Sequence, residues 1–191
     1  MKLKSLEISG FKSFADKTVI EFMPGMTGIV GPNGSGKSNI IEAIRWVMGE
    51  QSAKDLRGTK MADIIFGGTN TRPALNRAEV SMTFDNTDHY IKSDFSEIRI
   101  TRKLYRSGES SYQINGVESR LRDIHELFMD TGLGRESFSI ISQGRVESIF
   151  NAKPEDRRSI IEEVAGVYQY KQNKQRAQKE LQQTTDNLAR V

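Results

Sequence analysis

The sequence has 191 residues, and its 28 basic and 25 acidic side chains give a formal net charge of +3. This length accommodates one domain with a real core, plus an appendage. The absence of cysteine excludes disulfides, thiol chemistry and thiolate zinc sites, and two histidines make histidine-based catalysis or metal clusters a poor fit. The small charge is too weak to indicate a nucleic acid partner by itself. With neither a membrane-length apolar run nor a signal-peptide core, the composition favours a cytoplasmic protein outside the membrane.

Strand patterns dominate the start of the chain. Residues 4–8 and 18–22 alternate apolar and polar side chains, which is typical of half-buried strands. Residues 27–30, Thr-Gly-Ile-Val, read as a buried strand that leads directly into a glycine-rich turn.

The turn itself is the most specific signal in the sequence. Residues 31–38 fill every fixed position of the phosphate-loop pattern G-x-x-x-x-G-K-[ST], and residues 39–48 continue with helical apolar spacing. A strand, a glycine-rich turn and a helix N-terminus together form an anion site lined by backbone N–H groups. We expect Lys37 to bridge the β- and γ-phosphates of a nucleotide and the Ser38 hydroxyl to hold Mg²⁺. The predicted phosphate-binding residues are Gly31, Pro32, Asn33, Gly34, Ser35, Gly36, Lys37 and Ser38.

The middle of the chain alternates loops and strands. Residues 50–77 form a long polar loop of the kind that often carries function, with an apolar knot at residues 64–66. The pattern then predicts strands, a turn at Asn115 and Gly116 with a return strand at Val117, and a helix. These strands cover residues 79–84, 97–104, 110–114 and 137–141, and the helix covers residues 121–129.

A different pattern begins near Pro154, which fits the first turn of a helix. The last residues place apolar or small side chains four and three apart, which is the spacing of a coiled-coil seam. The seam is short, so an ordinary solvated helix is the alternative. We expect an N-terminal lobe over residues 1–153 and a helix over 154–191 that leads into a longer coil. The seam residues are Ala177, Leu181, Thr184, Leu188 and Val191.

The phosphate loop by itself predicts only half of an active site. Hydrolysis needs an acidic residue on a neighbouring strand to complete the Mg²⁺ shell, and a group that positions water. Asp85 and Asp130 come nearest to that acidic position, but both lie at the ends of predicted elements beside polar residues. Gln143 follows a predicted strand and could reach the metal or water through its amide, although a structural role is the alternative.

Several segments carry a resemblance to one family, namely residues 10–14, 31–40, 46–51, 56–58 and 142–144. Together they resemble the SMC family (structural maintenance of chromosomes), and residues 106–110, 132–134 and 155–158 fit its bacterial chromosome-condensing members. The resemblance covers essentially the whole chain. It implies an α/β P-loop NTPase fold, namely the N-terminal lobe of an ABC-type ATPase head with a mixed sheet, an antiparallel β subdomain and the start of a coiled-coil helix.

The resemblance assigns roles to residues outside the phosphate loop. Gln143 belongs to the family's Q-loop beside Mg²⁺, and Arg57 reaches towards the ATP phosphates with its permanently charged guanidinium. Asn39 continues the phosphate loop and is implied to lie beside the nucleotide. Lys12 and Ser13 are also implied to lie beside it and Asp63 at its base side, with ordinary surface ion pairs as the alternative for these three.

The resemblance also implies partners. The missing acidic motif and water-positioning glutamate would come from the protein's own C-terminal head segment, and ATP would be sandwiched against a second head in a homodimer. A kleisin subunit with its accessory protein would close the ring, and ATP turnover would drive DNA entrapment, chromosome condensation and segregation at the nucleoid. Lys60, Arg120 and Arg122 would hold double-stranded DNA through phosphates without sequence readout, unless they form an ordinary solvated basic face.

Three alternatives remain open from the sequence. Another coil-bearing ABC-type head, such as a zinc-hook repair ATPase or a RecN-like protein, would carry the same phosphate loop. A small phosphotransferase also places a helix after such a loop, but it needs a lid and basic residues for an acceptor. A non-catalytic DNA-binding or coiled-coil scaffold would keep its ATP affinity when Lys37 is replaced by alanine.

Overall fold

The computed structural model describes residues 2–91, 93–128, 140, 158 and 168–188. The chain divides into two compact units, Met1–Phe128 and Met129–Val191. The predicted lobe boundary at residues 153 and 154, the strand at 137–141 and the helix start at Pro154 lie outside the described residues, apart from Ile140 itself. None of the helices in the described part is long and apolar enough to span a bilayer.

One antiparallel sheet organises the first unit. Its six strands lie in the order β2-β1-β3-β4-β5-β6, and every pairing between them is antiparallel. The predicted antiparallel β subdomain is therefore present, and no parallel pair occurs among the described strands. The strands are β1 (Lys2–Ser9), β2 (Thr18–Glu21), β3 (Arg77–Asp85), β4 (Glu97–Tyr105), β5 (Ser110–Ile114) and β6 (Val117–Ser119).

The strands predicted at residues 4–8 and 18–22 are confirmed as β1 and β2, and those at 79–84, 97–104 and 110–114 as β3, β4 and β5. Alternating burial is clearest in β1, where Leu6 and Ile8 are fully buried, whereas residues 80–84 of β3 are buried on both faces. The predicted turn between β5 and β6 is also confirmed. Asn115 and Gly116 have φ values of 49° and 82°, the left-handed pair that a tight hairpin requires.

Helix α1 (Lys37–Val47) packs an apolar face on this sheet, where Trp46 and Val47 are fully buried. The helix ends at Gly49, whose φ of 112° favours glycine. A Cβ at Gly49 would lie 2.5 Å from Nε2 of His125, which belongs to helix α2 (Leu121–Phe128). Close approach of the two helices therefore also requires glycine at this position.

The long loop folds back onto the segment that follows β1. It contains two short 3₁₀ helices, Lys54–Leu56 and Met61–Ile64, and residues 64–66 are buried. The amide of Lys12 donates to the Ile64 carbonyl at 2.7 Å, and the amide of Phe66 donates to the Gly10 carbonyl at 2.8 Å. The apolar knot thereby holds residues 10–14 beside the 3₁₀ helices.

The prediction of a buried strand over residues 27–30 is wrong. These residues lack regular structure, and all four are exposed, with Val30 at 93%. A strand needs a neighbour to satisfy its backbone, and none of the described strands pairs with this segment. Its apolar side chains therefore remain on the surface.

Helix α3 (Tyr168–Leu188) forms the described part of the second unit apart from residues 140 and 158. Four of the five predicted seam residues lie on it and are exposed: Ala177, Leu181, Thr184 and Leu188. Val191 lies outside the described residues. The coiled coil stays a prediction, because an exposed seam alone identifies no partner helix.

A buried arginine connects the sheet to the end of α1. Arg102 of β4 is only 4% exposed, and its guanidinium lies 4.7 Å from the Trp46 ring centroid and 4.8 Å from that of Tyr112. Its Nη1 donates to the backbone carbonyls of Trp46 and Glu50, each at 2.7 Å. The cation thereby satisfies carbonyls at a helix C-terminus, where positive charge is favourable.

Replacing Arg102 with methionine should destabilise the fold by about 2–4 kcal/mol, because buried carbonyls lose a charged donor. Urea unfolding measures the loss. Lys103→Met is the matched control, since Lys103 lies 3.8 Å from Glu79 in a long, half-buried ion pair and should cost under about 1 kcal/mol. Equal losses in both variants would contradict this role of Arg102.

Glu7 of β1 bridges two cations, Arg99 and Lys17, each at 2.7 Å. Its side chain is 16% exposed, and the hydrogen bond from Arg99, with that from Lys17, outweighs burial and lowers the pKa of Glu7. A carboxyl whose pKa is lower in the folded state adds stability above its unfolded pKa and loses it as the pH falls.

We expect Glu7→Gln to lower the unfolding free energy by about 1–2 kcal/mol at pH 7. The difference from the native chain should shrink as the pH falls below about 4.3, the ordinary glutamate pKa. Unfolding curves at several pH values test this. Glu97→Gln, which breaks an exposed pair with Lys4, should change little at any pH. A Glu7→Gln deficit independent of pH would argue against the ion pairs.

Candidate functional site

The phosphate loop adopts a backbone that only glycine supports at its key positions. Gly34 and Gly36 have φ values of 82° and 92°, and Gly36 is the N-cap of α1. A Cβ on Gly36 would lie 2.7 Å from the Ser13 hydroxyl, and one on Gly31 would lie 2.8 Å from that of Ser35. The loop can therefore close against both hydroxyls only because these positions lack side chains.

Lys37 folds back over the loop. Its Nζ donates to the backbone carbonyls of Gly31 at 2.6 Å and Pro32 at 2.7 Å. These neutral acceptors hold the ammonium at the loop, beside the first turn of α1. A phosphate oxygen is a stronger acceptor for a cation than a carbonyl, so an anion can replace these contacts.

The start of α1 is suited to an anion. No side chain caps Gly36, and the first turn of α1 contains no acidic residue. The leading N–H groups of a helix lack intrahelical partners and carry its positive partial charge. Ser38, the second residue of the helix, is exposed and presents its hydroxyl in this turn.

A buried carboxylate organises the residues around the loop. Glu42 of α1 is 6% exposed, and its two oxygens accept from different cations, Oε2 from Lys12 Nζ and Oε1 from Arg57 Nε. Lys12 also donates to the Leu56 carbonyl, next to Arg57 in the chain. The carboxylate thus joins α1 to the segment after β1 and to the first 3₁₀ helix.

Asn39 completes this arrangement through both ends of its amide. Its Nδ2 donates to the Ser13 hydroxyl at 2.8 Å, and its Oδ1 accepts from Arg57 Nη2 at 3.2 Å. The structure therefore brings together four residues that the family resemblance places beside the nucleotide. With Glu42 they form the Glu42 cluster, defined as Lys12, Ser13, Asn39, Glu42 and Arg57.

Two members of the Glu42 cluster have unusual backbone conformations. Lys12 and Arg57 have φ values of 47° and 53°, in the left-handed region that non-glycine residues seldom occupy. Such conformations persist where surrounding contacts determine them, and they concentrate at functional sites. Here the ion pairs with Glu42 supply those contacts.

Asp63 has a local role in the structure. Its Oδ2 accepts from the backbone amides of Thr59 at 2.9 Å and Lys60 at 2.7 Å, at the start of the second 3₁₀ helix. The Lys60 and Thr59 hydrogen bonds lower the pKa of Asp63. Its expected position at the base side of a nucleotide stays a prediction. Gln143 lies outside the described residues.

The three predicted DNA contacts are all exposed. Arg120 immediately precedes α2, and its amide donates to Asp123 Oδ2 at 2.8 Å. Arg122 forms an exposed ion pair with Glu126 at 2.7 Å, and this hydrogen bond raises the pKa of Arg122. Since the described contacts do not connect Lys60 to either arginine, their common surface stays a prediction.

A complete magnesium shell is absent from the described part of the chain, where no cluster of three or more histidines or acids could hold a metal. Asp85 pairs with Lys2 at the first end of β1, whereas Ser13, which contacts the loop, follows the other end. Glu42 is one helical turn from Ser38, but both of its oxygens accept from cations. Neither carboxylate can therefore serve as the missing ligand in this arrangement.

Glu42 was not identified from the sequence. A usable signal existed, because it is the charged residue among the positions of α1 that are buried. Charged side chains are rarely buried unless they are paired. That rule predicts a partner for Glu42, but the partners are 30 and 15 residues away in the chain, so spacing alone does not identify them.

Comparisons with known proteins agree with this fold. Residues 2–145 match the family described as RecF/RecN/SMC N terminal domain. A chromosome partition protein Smc from Lactiplantibacillus plantarum is 66% identical over 191 residues, which are 100% of this chain and 16% of that protein. The chain thus spans about a sixth of that relative's length.

Solved structures give the same result at the level of the fold. An SMC ATPase, studied for ATP-driven dimerization and DNA stimulated activation, matches with a TM-score of 0.78 and 36% identity, covering 86% of this chain and 99% of that one. A Pyrococcus furiosus Smc head domain with an extended coiled coil, bound to the C-terminal domain of ScpA, matches with a TM-score of 0.83 and 38% identity, covering 100% of this chain and 48% of that one. The chain therefore belongs to the RecF/RecN/SMC N-terminal domain family, and its fold is that of the N-terminal part of an SMC ATPase head.

Proposed function

We propose that this chain is the ATP-binding part of an SMC head that hydrolyses ATP together with its own C-terminal head segment and a second head. The observation that carries the proposal is the position of Lys37, whose ammonium lies over a glycine loop at the uncapped start of α1. Helix N–H groups and one cation on the same loop suit the phosphates of a nucleotide.

Arg57 would add a second positive charge to the phosphates. Its side chain is 58% exposed even though Nε is held by Glu42, so the outer edge of the guanidinium faces solvent. Its Nη2 lies beside Asn39 in the first turn of α1. A planar, permanently charged fork in this position suits bidentate contact with a phosphate.

Magnesium fits this site only in part. Ser38 would hold the ion, which supplies charge neutralisation to the β- and γ-phosphates. Gln143 is proposed as a second ligand from the Q-loop. Among the described residues no group of three or more acids or histidines could hold a metal, and both oxygens of Glu42 accept from cations. We therefore assign the acidic ligand and the water-positioning group to the C-terminal head segment.

The surface near residues 23–30 supports that assignment. Met26 is fully exposed, Val30 and Met23 are 93% and 74% exposed, and none of the described strands pairs with this segment. Next to it opens a cleft of about 580 Å³. A C-terminal head segment would supply the missing neighbour and cover these side chains. The cleft is lined by Lys2, Leu3, Lys4, Phe22, Met23, Pro24, Gly25, Thr27 and Asp85.

Similarity to the SMC ATPase and the ScpA-bound head supports the remaining partners. We propose that a second copy of the head closes over ATP, that a kleisin with its accessory protein joins the heads, and that ATP turnover drives DNA entrapment, chromosome condensation and segregation at the nucleoid in the cytoplasm. Lys60, Arg120 and Arg122 would bind double-stranded DNA through its phosphates, so the affinity would be independent of sequence and weakened by salt.

Replacing Lys37 with alanine should weaken ATP binding by more than about 100-fold, because the ammonium can no longer donate charge-assisted hydrogen bonds to the β- and γ-phosphates. Equilibrium binding of a fluorescent ATP analogue to the full-length protein measures this. Gln143→Ala should leave binding within about threefold and reduce hydrolysis, since its contact is with the metal or water.

Lys174→Ala is the control for Lys37, because it removes an exposed lysine from α3. It should bind ATP as the native protein does. Unchanged affinity in Lys37→Ala would favour a non-catalytic scaffold, and loss of affinity in Gln143→Ala would remove its assigned role.

This chain alone should show negligible ATPase activity, and addition of the C-terminal head segment should restore it. Turnover per head should then rise steeply with protein concentration, because two heads must meet around each ATP. Phosphate release measured over a range of protein concentrations tests both statements. Turnover by the isolated chain that does not depend on concentration would contradict the divided site and favour a small phosphotransferase.

A further inference from the structure

Glu42 stands apart from the residues that present charge to a phosphate. It is 6% exposed, it lies on the inner face of α1, and it engages a separate cation with each carboxylate oxygen. A carboxylate near a triphosphate repels it unless cations neutralise the carboxylate. The role of Glu42 must therefore depend on how it holds these two cations, Lys12 and Arg57.

The two cations are held in different ways. Lys12 has a side chain only 14% exposed, and its ammonium donates to Glu42 and to the Leu56 carbonyl. It is an internal tether that fixes the backbone next to Arg57. Its expected position beside the nucleotide stays a prediction.

Arg57 is held by one edge only. Nε donates to Glu42 and Nη2 contacts Asn39, while more than half of the side chain faces solvent. The contact through Nε orients the guanidinium plane and directs its terminal nitrogens towards the first turn of α1. An arginine fixed in this way loses less rotamer freedom when it meets an anion.

We propose that Glu42 is a positioning residue that acts through Arg57, holding the guanidinium so that it meets a phosphate bound at the α1 N-terminus. This inference rests on the proposed ATPase function. The lysine tether neutralises the carboxylate, so the cluster of Glu42, Lys12 and Arg57 presents one positive charge, and that charge is carried by the exposed Arg57.

A double-mutant cycle in the full-length protein tests the inference. Glu42→Gln keeps the shape of the side chain and should lower kcat/KM for ATP about tenfold, which equals about 1.4 kcal/mol. In an Arg57→Ala background the same change should have less than about a twofold effect, because the group that Glu42 positions is gone.

Glu50→Gln is the matched control, since Glu50 pairs with Arg45 at the C-terminal end of α1. It should leave kcat/KM within about twofold. Glu42→Asp provides a second variant if Glu42→Gln fails to fold, because it keeps the charge but has a shorter side chain. Its loss of kcat/KM should likewise depend on the presence of Arg57.

Equal losses from the Glu42 variants with and without Arg57 would overturn the inference and indicate a general structural role. Native turnover in both Glu42 variants would also overturn it. Equal ATP binding by Lys37→Ala and the native protein would instead remove the proposed function itself, so the two failures are distinguishable.

Discussion

Helix α1 is the element on which the site depends, because cations from other segments hold it at its middle and at its C-terminal end. At its C-terminus Arg102 reaches from the sheet and donates to two carbonyls. In the middle of the helix Glu42 accepts hydrogen bonds from Lys12 and Arg57. The apolar face between these contacts packs on the sheet. A helix fixed in this way presents its free N–H groups at one defined position, which is what an anion site requires.

The same construction explains how a chain with a small net charge forms a strongly polarised site. The positive charge is concentrated because two cations meet at the start of α1. The glycine loop holds Lys37 there, and the first 3₁₀ helix places Arg57 beside the first turn of α1. Acidic side chains are excluded from the first turn of the helix, and Glu42 is neutralised by its partners. Local arrangement therefore matters here far more than the sum of charges.

Features encoded by neighbouring residues were predictable from the sequence. Alternation identified β1 and β2, and the glycine pattern identified the phosphate loop, because each signal depends on residues close in the chain. Residues 27–30 were predicted wrongly because an apolar run becomes a strand only beside another strand. Glu42 was missed for a related reason, since its role depends on Lys12 and Arg57, which come from distant segments. The family resemblance supplied Arg57, Ser13 and Lys12, which spacing alone would not have selected.

The contacts of Lys37 with the carbonyls of Gly31 and Pro32 have a kinetic consequence. The ammonium already rests at the loop, so capture of an anion exchanges two neutral acceptors for a charged one without a swing of the side chain from solvent. Such preorganisation lowers the entropy lost on association. We therefore expect an anion to bind the loop quickly. The rate of a catalytic cycle that begins with this binding should then be set by the association of whole protein surfaces.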